Sequence, residues 1–177
     1  MQKTIRAKGQ GSRVKGSRPT WAEIDLGAVE QNYNWLKKRL RAGTKVLAVV
    51  KANAYGHGMA EVSEKLSGCG VNFFAVASVD EAVALRKKGV KNPVLVLGGI
   101  LPDEIDGVIK YGLMQAVADA QLADEIDRRA ARMKKKVSIH AKVDTGMGRF
   151  GAWHEDAVDF IKAIKNKDNI SLEGLFT

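Results

Sequence analysis

The sequence predicts an α/β fold built on a parallel sheet, and three observations carry that prediction. Short apolar runs rich in β-branched residues, VLAVV at 46–50 and PVLVL at 93–97 among them, are too short for ordinary helices and read as strands buried on both faces. Between the strands lie segments whose apolar residues recur at offsets of three and four, the pattern of amphipathic helices. The two kinds of segment alternate with little interruption, which calls for parallel strands joined by right-handed crossovers, in either an open doubly wound sheet or a barrel. Counting from the run that ends at Lys51 gives six parallel strands, two fewer than a closed (β/α)8 barrel needs.

In order, residues 20–24 (TWAEI) form a strand and Asp25 caps a helix whose stripe is Leu26, Val29, Tyr33, Leu36 and Leu40, with Gly43 as its stop. The strand at 45–51 follows, then a helix at 59–66 that Gly68 and Gly70 break. Residues 72–77 (NFFAVA) are a strand, and Ser78-Val79-Asp80-Glu81 is a capping box opening a helix that ends at Lys87, Lys88 and Gly89. A strand at 93–97 leads to a helix with Pro102 in its first turn and Ile105, Val108 and Ile109 on one face. Residues 113–117 are a strand, 120–134 a long helix, 136–144 a strand, 154–164 a helix and 170–176 a last strand. A barrel two strands short leaves two raw edges of unpaired amides and carbonyls, so the chain reads as incomplete.

The net charge of +9 resembles a nucleic-acid signature, but its distribution argues otherwise. Residues 1–18 carry Lys3, Arg6, Lys8, Arg13, Lys15 and Arg18 with no acid, while the rest carries 23 basic against 20 acidic residues. That basic extension has too few aliphatic residues to form a core and is expected to be disordered, with the barrel portion at 19–177. No specific nucleic-acid partner and no membrane is expected, since no apolar run is long enough to cross a bilayer. The single cysteine, Cys69, excludes an internal disulfide and has no metal-ligand spacing, which points to a reducing, cytoplasmic setting and to no bound metal.

The chemistry centres on residues 45–58, KVLAVVKANAYGHG. Lys51 stands where its strand emerges, the end at which ligands bind in parallel α/β architectures. Beside an apolar run that excludes water, desolvation disfavours an ammonium, and the amine so exposed can form a Schiff base with a carbonyl. A lysine simply reaching into solvent is the ordinary alternative, but the compact turn that follows brings two glycines, the Tyr55 hydroxyl and the His57 imidazole.

AVVKANAYGHG closely resembles the cofactor-lysine segment of bacterial alanine racemases, and the resemblance runs from Arg18 to Thr177. It implies a TIM-type (β/α)8 barrel, incomplete here with about six of eight strands, that is followed in the family by a mainly β domain. It implies pyridoxal 5′-phosphate carried on Lys51, with Tyr55 hydrogen-bonding its phosphate and Leu97, at the end of the 93–97 strand, lining its pocket. It also implies a homodimer with shared active sites, alanine as substrate, and D-alanine supplied for peptidoglycan. Racemisation uses two proton-handling groups on opposite faces, Lys51 and, in the family, a tyrosine of the partner's second domain. Tyr33, Tyr55 and Tyr111 do not match that tyrosine, so this chain is expected to be inactive alone.

A second constellation lies on residues 137–144. Val137, Ile139, Ala141 and Val143 share one face, and Ser138, His140, Lys142 and Asp144 the other. With the apolar face under the helices, the polar set points into the barrel, where a bare ammonium is costly. Lys142 can pair with Asp144, deprotonate, or react with carbon dioxide to give a carbamate. HAKVDTGMGRFG resembles the racemase segment whose carbamylated lysine orients an arginine that meets both cofactor and substrate, roles that fall to Lys142 and Arg149. The same segment spells G-x-G-x-x-G at 146–151, with Glu173 about 20 residues on, which supports a rival reading as a nicotinamide-dependent oxidoreductase. A helix starting only near His154 argues against it. A non-catalytic pyridoxal-phosphate carrier is a further alternative, and the substrate-facing arginine argues against that one.

Overall fold

The computed structural model describes the backbone of residues 4–7 and all of residues 22–177. Six strands form one parallel sheet in the order β3 (Leu47–Val49), β4 (Phe73–Val76), β5 (Val94–Val96), β6 (Met114–Val117), β7 (Val137–Asp144) and β9 (Ile170–Phe176). This is the six-stranded parallel α/β arrangement the alternation predicts. Among the described residues the sheet does not close, because β3 and β9 each have a single neighbour within it. A short strand absent from the sequence reading, β8 (Ala152–Trp153), pairs with Val143 and Asp144 at the end of β7.

Two further strands lie apart. β1 (Thr4–Ala7) pairs antiparallel with β2 (Ala22–Asp25), so four residues of the extension expected to lack structure are a strand; the remainder of that extension lies outside the described residues. Asp25 ends β2 and also caps α1 (Leu26–Lys37), its Oδ1 accepting the Gly27 amide at 2.7 Å. The helix stops six residues short of Gly43, and Leu36, expected on the buried stripe, is exposed while Leu26 and Tyr33 are buried.

The connections are α2 (Lys51–Tyr55), α3 (Met59–Gly68), α4 (Val79–Lys87), α5 (Ile105–Lys110), α6 (Ala120–Arg132) and α7 (Ala157–Lys165), and Pro102 opens a 3-10 turn ahead of α5. Gly68 stays helical and Gly70, at φ +83°, makes the break. Arg86 on α4 ties together two connections, the one leading into β5 and the one leading into β6. Its guanidinium donates to the carbonyls of Val90, Asn92, Tyr111 and Gly112, and burial lowers its pKa.

Strand alternation divides the sheet into two faces with separate cores. Phe74, Val76, Val94, Val96, Ile139 and Ala141 face the helices and pack with Leu85, Ile105, Ile126 and Ile164 in the larger cluster. Ala75, Leu95, Met114 and Ala116 face the other way and form a smaller inner cluster, joined by Leu47, Phe73, Leu97, Phe150 and Phe176. The inner face is therefore apolar toward the middle of the strands, and polar side chains enter it from β7.

Candidate active site

The chain leaves β3 at Lys51 in an unusual conformation. Ala52, Asn53, Ala54 and Tyr55 have φ of 50°, 56°, 52° and 53°, so α2 is a single turn of left-handed helix. It is closed by Ala54 N–H to the Val50 carbonyl (2.8 Å) and Gly56 N–H to the Ala52 carbonyl (3.2 Å). Left-handed backbone costs an L-residue about 1–2 kcal/mol, so four in succession persist only where the surroundings impose them.

Those surroundings are polar and specific. Glu81 reaches from the first turn of α4, its Oε1 accepting Ala52 N–H at 2.7 Å and its Oε2 accepting Ala77 N–H at 2.8 Å. Asn53 Oδ1 accepts Met59 N–H at 2.9 Å and so starts α3, and Nδ1 of His57 lies 2.9 Å from the Ala54 carbonyl. The expected capping box is only half made: Ser78 Oγ accepts Glu81 N–H at 3.3 Å, but the Glu81 carboxylate serves other amides. Lys51 is half-buried, and Tyr55, on the same turn, is 61% exposed.

At the neighbouring strand ends, Leu97 N–H donates to the Val76 carbonyl and Leu97 packs on the inner cluster. Gly98 follows because nothing larger fits: a Cβ there would stand 2.5 Å from the Ala77 carbonyl oxygen. On β7, Val137, Ile139 and Ala141 join the helix-facing core as the alternation predicts. Their polar counterparts turn inward. Lys142 Nζ lies 5.3 Å above the Phe176 ring and donates to the Val143 carbonyl, and His140 packs edge-on to the same ring. Nε2 of His140 is buried without a partner, and burial lowers the pKa of this ring against the opposing influence of Glu173.

Asp144 does not pair with Lys142. Its Oδ1 accepts the amides of Gly146 (2.9 Å) and Gly148 (3.1 Å), and these amides, with smaller contributions from those of Arg149 and Met147, hold its carboxyl below the usual carboxylate range. The loop that spells G-x-G-x-x-G thus spends its amides on a carboxylate of its own chain. Its following helix, α7, begins six residues beyond the last glycine. Neither feature suits a pyrophosphate at a helix N-terminus, so the oxidoreductase reading fails on geometry. Phe150 anchors the loop in the inner cluster and leaves Arg149 exposed beside it.

Lys51, Lys142 and Arg149 have no carboxylate partner among the described residues, and no hydrogen bond joins them to one another or to Tyr55. Cations without acids at the ligand end of a sheet, a nearby hydroxyl and an orphaned buried imidazole nitrogen suit an anionic, phosphate-bearing group with a carbonyl. Nothing in the sequence pattern marks Asn53 or Gly174 as structurally special, and the S-x-x-E spacing of Glu81 signals a local cap, whereas its carboxylate serves Ala52 and Ala77.

The comparisons agree with this geometry. Residues 24–177 match the family described as alanine racemase, N-terminal domain. The chain is 45% identical over 163 residues to an alanine racemase of Geobacter sp. strain M21, covering 91% of this chain and 43% of that one. It is 42% identical over 161 residues to an alanine racemase of Halothermothrix orenii, covering 91% and 42%. Among solved structures, alanine racemase of Clostridium difficile 630 in complex with cycloserine superposes with a TM-score of 0.87 at 36% identity, covering 92% of this chain and 45% of that one. A histidine racemase of Leuconostoc mesenteroides superposes at 0.77 with 27% identity, covering 85% and 40%. The chain spans less than half the length of these relatives, and by the match over 24–177 it belongs to the alanine racemase N-terminal domain family.

Proposed function

We propose that this chain is the cofactor-bearing portion of an alanine racemase, with pyridoxal 5′-phosphate carried on Lys51. When bound, that cofactor supplies an electron sink that makes the α-proton of an amino acid removable. Lys51 Nζ would handle the α-proton on one face, accepting it in one direction of the reaction and delivering it in the other, while a group outside this chain would do the converse on the opposite face. The Tyr55 hydroxyl would bind the phosphate, Leu97, packed on the inner cluster, would line the cofactor pocket, and the Arg149 guanidinium would meet cofactor and substrate. Lys142, as a carbamate, would orient Arg149; what supports this is that the half-buried Lys142 amine forms no ion pair among the described residues and donates only to the Val143 carbonyl, so its charge is left unbalanced as an ammonium.

The whole enzyme interconverts L- and D-alanine in the cytoplasm as a homodimer with shared sites and feeds peptidoglycan synthesis. The observation that carries the reading is the position of Lys51, at the ligand end of β3 on a turn whose conformation is imposed by its neighbours. Reductive trapping of pyridoxal phosphate followed by peptide mapping tests it. Label on Lys51 is expected, and label on another lysine with Lys51 unmodified refutes the assignment. With the full-length enzyme, faster exchange of the α-proton of histidine than of alanine would refute the substrate.

A further inference from the structure

The amide that begins the left-handed turn is held by a carboxylate from a different βα unit. Glu81 accepts Ala52 N–H at 2.7 Å and Ala77 N–H at 2.8 Å, so one side chain joins the residue after Lys51 to the end of β4. Both Ala52 and Ala77 are exposed, and water could serve either amide alone. A fixed carboxylate taking both locks the spacing between the two strand ends. It also locks the entry to a turn of four left-handed residues that a free chain leaves readily.

We infer that Glu81 is the positioning residue of the proposed cofactor lysine: by bridging Ala52 and Ala77 it imposes the left-handed turn that sets where Lys51 and Tyr55 point. The inference rests on the reading of Lys51 as the cofactor residue, but the bridge itself does not. Glutamine in place of Glu81 keeps the size and loses the function. One of its two terminal atoms is a donor, which would face an amide N–H and leave that amide unpaired.

Two substitutions on the same helix separate positioning from simple support of α4. Ser78→Ala removes the side-chain cap of α4 and leaves the bridge, whereas Glu81→Gln breaks the bridge and leaves the Ser78 cap. In the 177-residue chain, titration with pyridoxal phosphate should show a loss of affinity of about tenfold for Glu81→Gln, and for Ser78→Ala a change within about twofold. Equal affinities for the two variants would overturn the inference. Hydrogen exchange on the unsubstituted protein gives a second arm that needs no variant. The Ala52 amide should be protected to the same degree as Ala77 despite its exposure, and free exchange at Ala52 would overturn the bridge. If pyridoxal phosphate is trapped on a residue other than Lys51 while Ala52 is protected, the proposed function fails and the bridge stands.

Discussion

The imidazole of His140 lies across Gly174 on the neighbouring strand so closely that a Cβ at position 174 would stand 2.6 Å from Nδ1 and 2.7 Å from Cε1. The two residues are register partners of β7 and β9, next to an irregularity between Ile139 and His140. A glycine therefore occupies the interior of a strand, where its entropy is a cost, because the inner face needs room for a ring. This contact sets how the histidine sits against Phe176, the ring that Lys142 also overlies.

Gly174→Ala should destabilise the protein by about 1–3 kcal/mol, the usual cost of forcing a methyl into a packed interior. Urea unfolding would read this as a lower midpoint with unchanged slope. In a His140→Ala background the same methyl meets no ring, and most of its cost should vanish. Additive costs in the double variant would show that the ring is not the obstacle.

Asp144 ties pH to the order of the Arg149 loop. Amides of Gly146 and Gly148, then of Arg149 and Met147, lower its pKa, so its folded value lies below the unfolded one of about 3.9. The unfolded chain then binds the proton first as pH falls. The stability this carboxylate contributes is fully present above about pH 4 and is lost as pH drops through its lower folded value. Asp144→Asn should remove that part of the acid limb and lower the unfolding midpoint at neutral pH, since the amides lose a charged acceptor. Acid titrations of the two proteins followed by circular dichroism would compare the limbs, and superimposable curves would contradict the assignment.

Much of this molecule was legible in the residue pattern, for identifiable reasons. The six parallel strands were readable because four are short apolar or near-apolar runs, β5 mostly β-branched, while β7 alternates with a period of two and all six are separated by helical patterns. The inward set on β7 was readable because a period of two leaves no freedom once Ile139 and Ala141 are placed in the core. What escaped depends on contacts distant in sequence. The Ser78 to Glu81 spacing is a local signal for a local box, and the carboxylate instead crosses 29 residues to Ala52. The left-handed turn had no signature, because Ala52 and Ala54 are residues that ordinarily avoid φ > 0. Leu36 followed the helical stripe correctly, yet α1 ends a residue later and the stripe has nothing to cover it.

Tyr55 separates binding from folding most cleanly. It is 61% exposed, and no hydrogen bond within the described residues engages its hydroxyl, so the fold has little stake in that oxygen. Tyr55→Phe should leave the unfolding free energy within about 0.5 kcal/mol of the parent, as is usual for surface changes away from caps and networks. The same oxygen is the proposed donor to a phosphate, and a hydrogen bond to a charged group is worth about 1.5–3 kcal/mol. Pyridoxal phosphate affinity should therefore fall about tenfold or more, while affinity for pyridoxal, which lacks the phosphate, stays unchanged. A parallel loss for both compounds would mean that the side chain supports the pocket by packing, and a loss for neither would remove Tyr55 from the site.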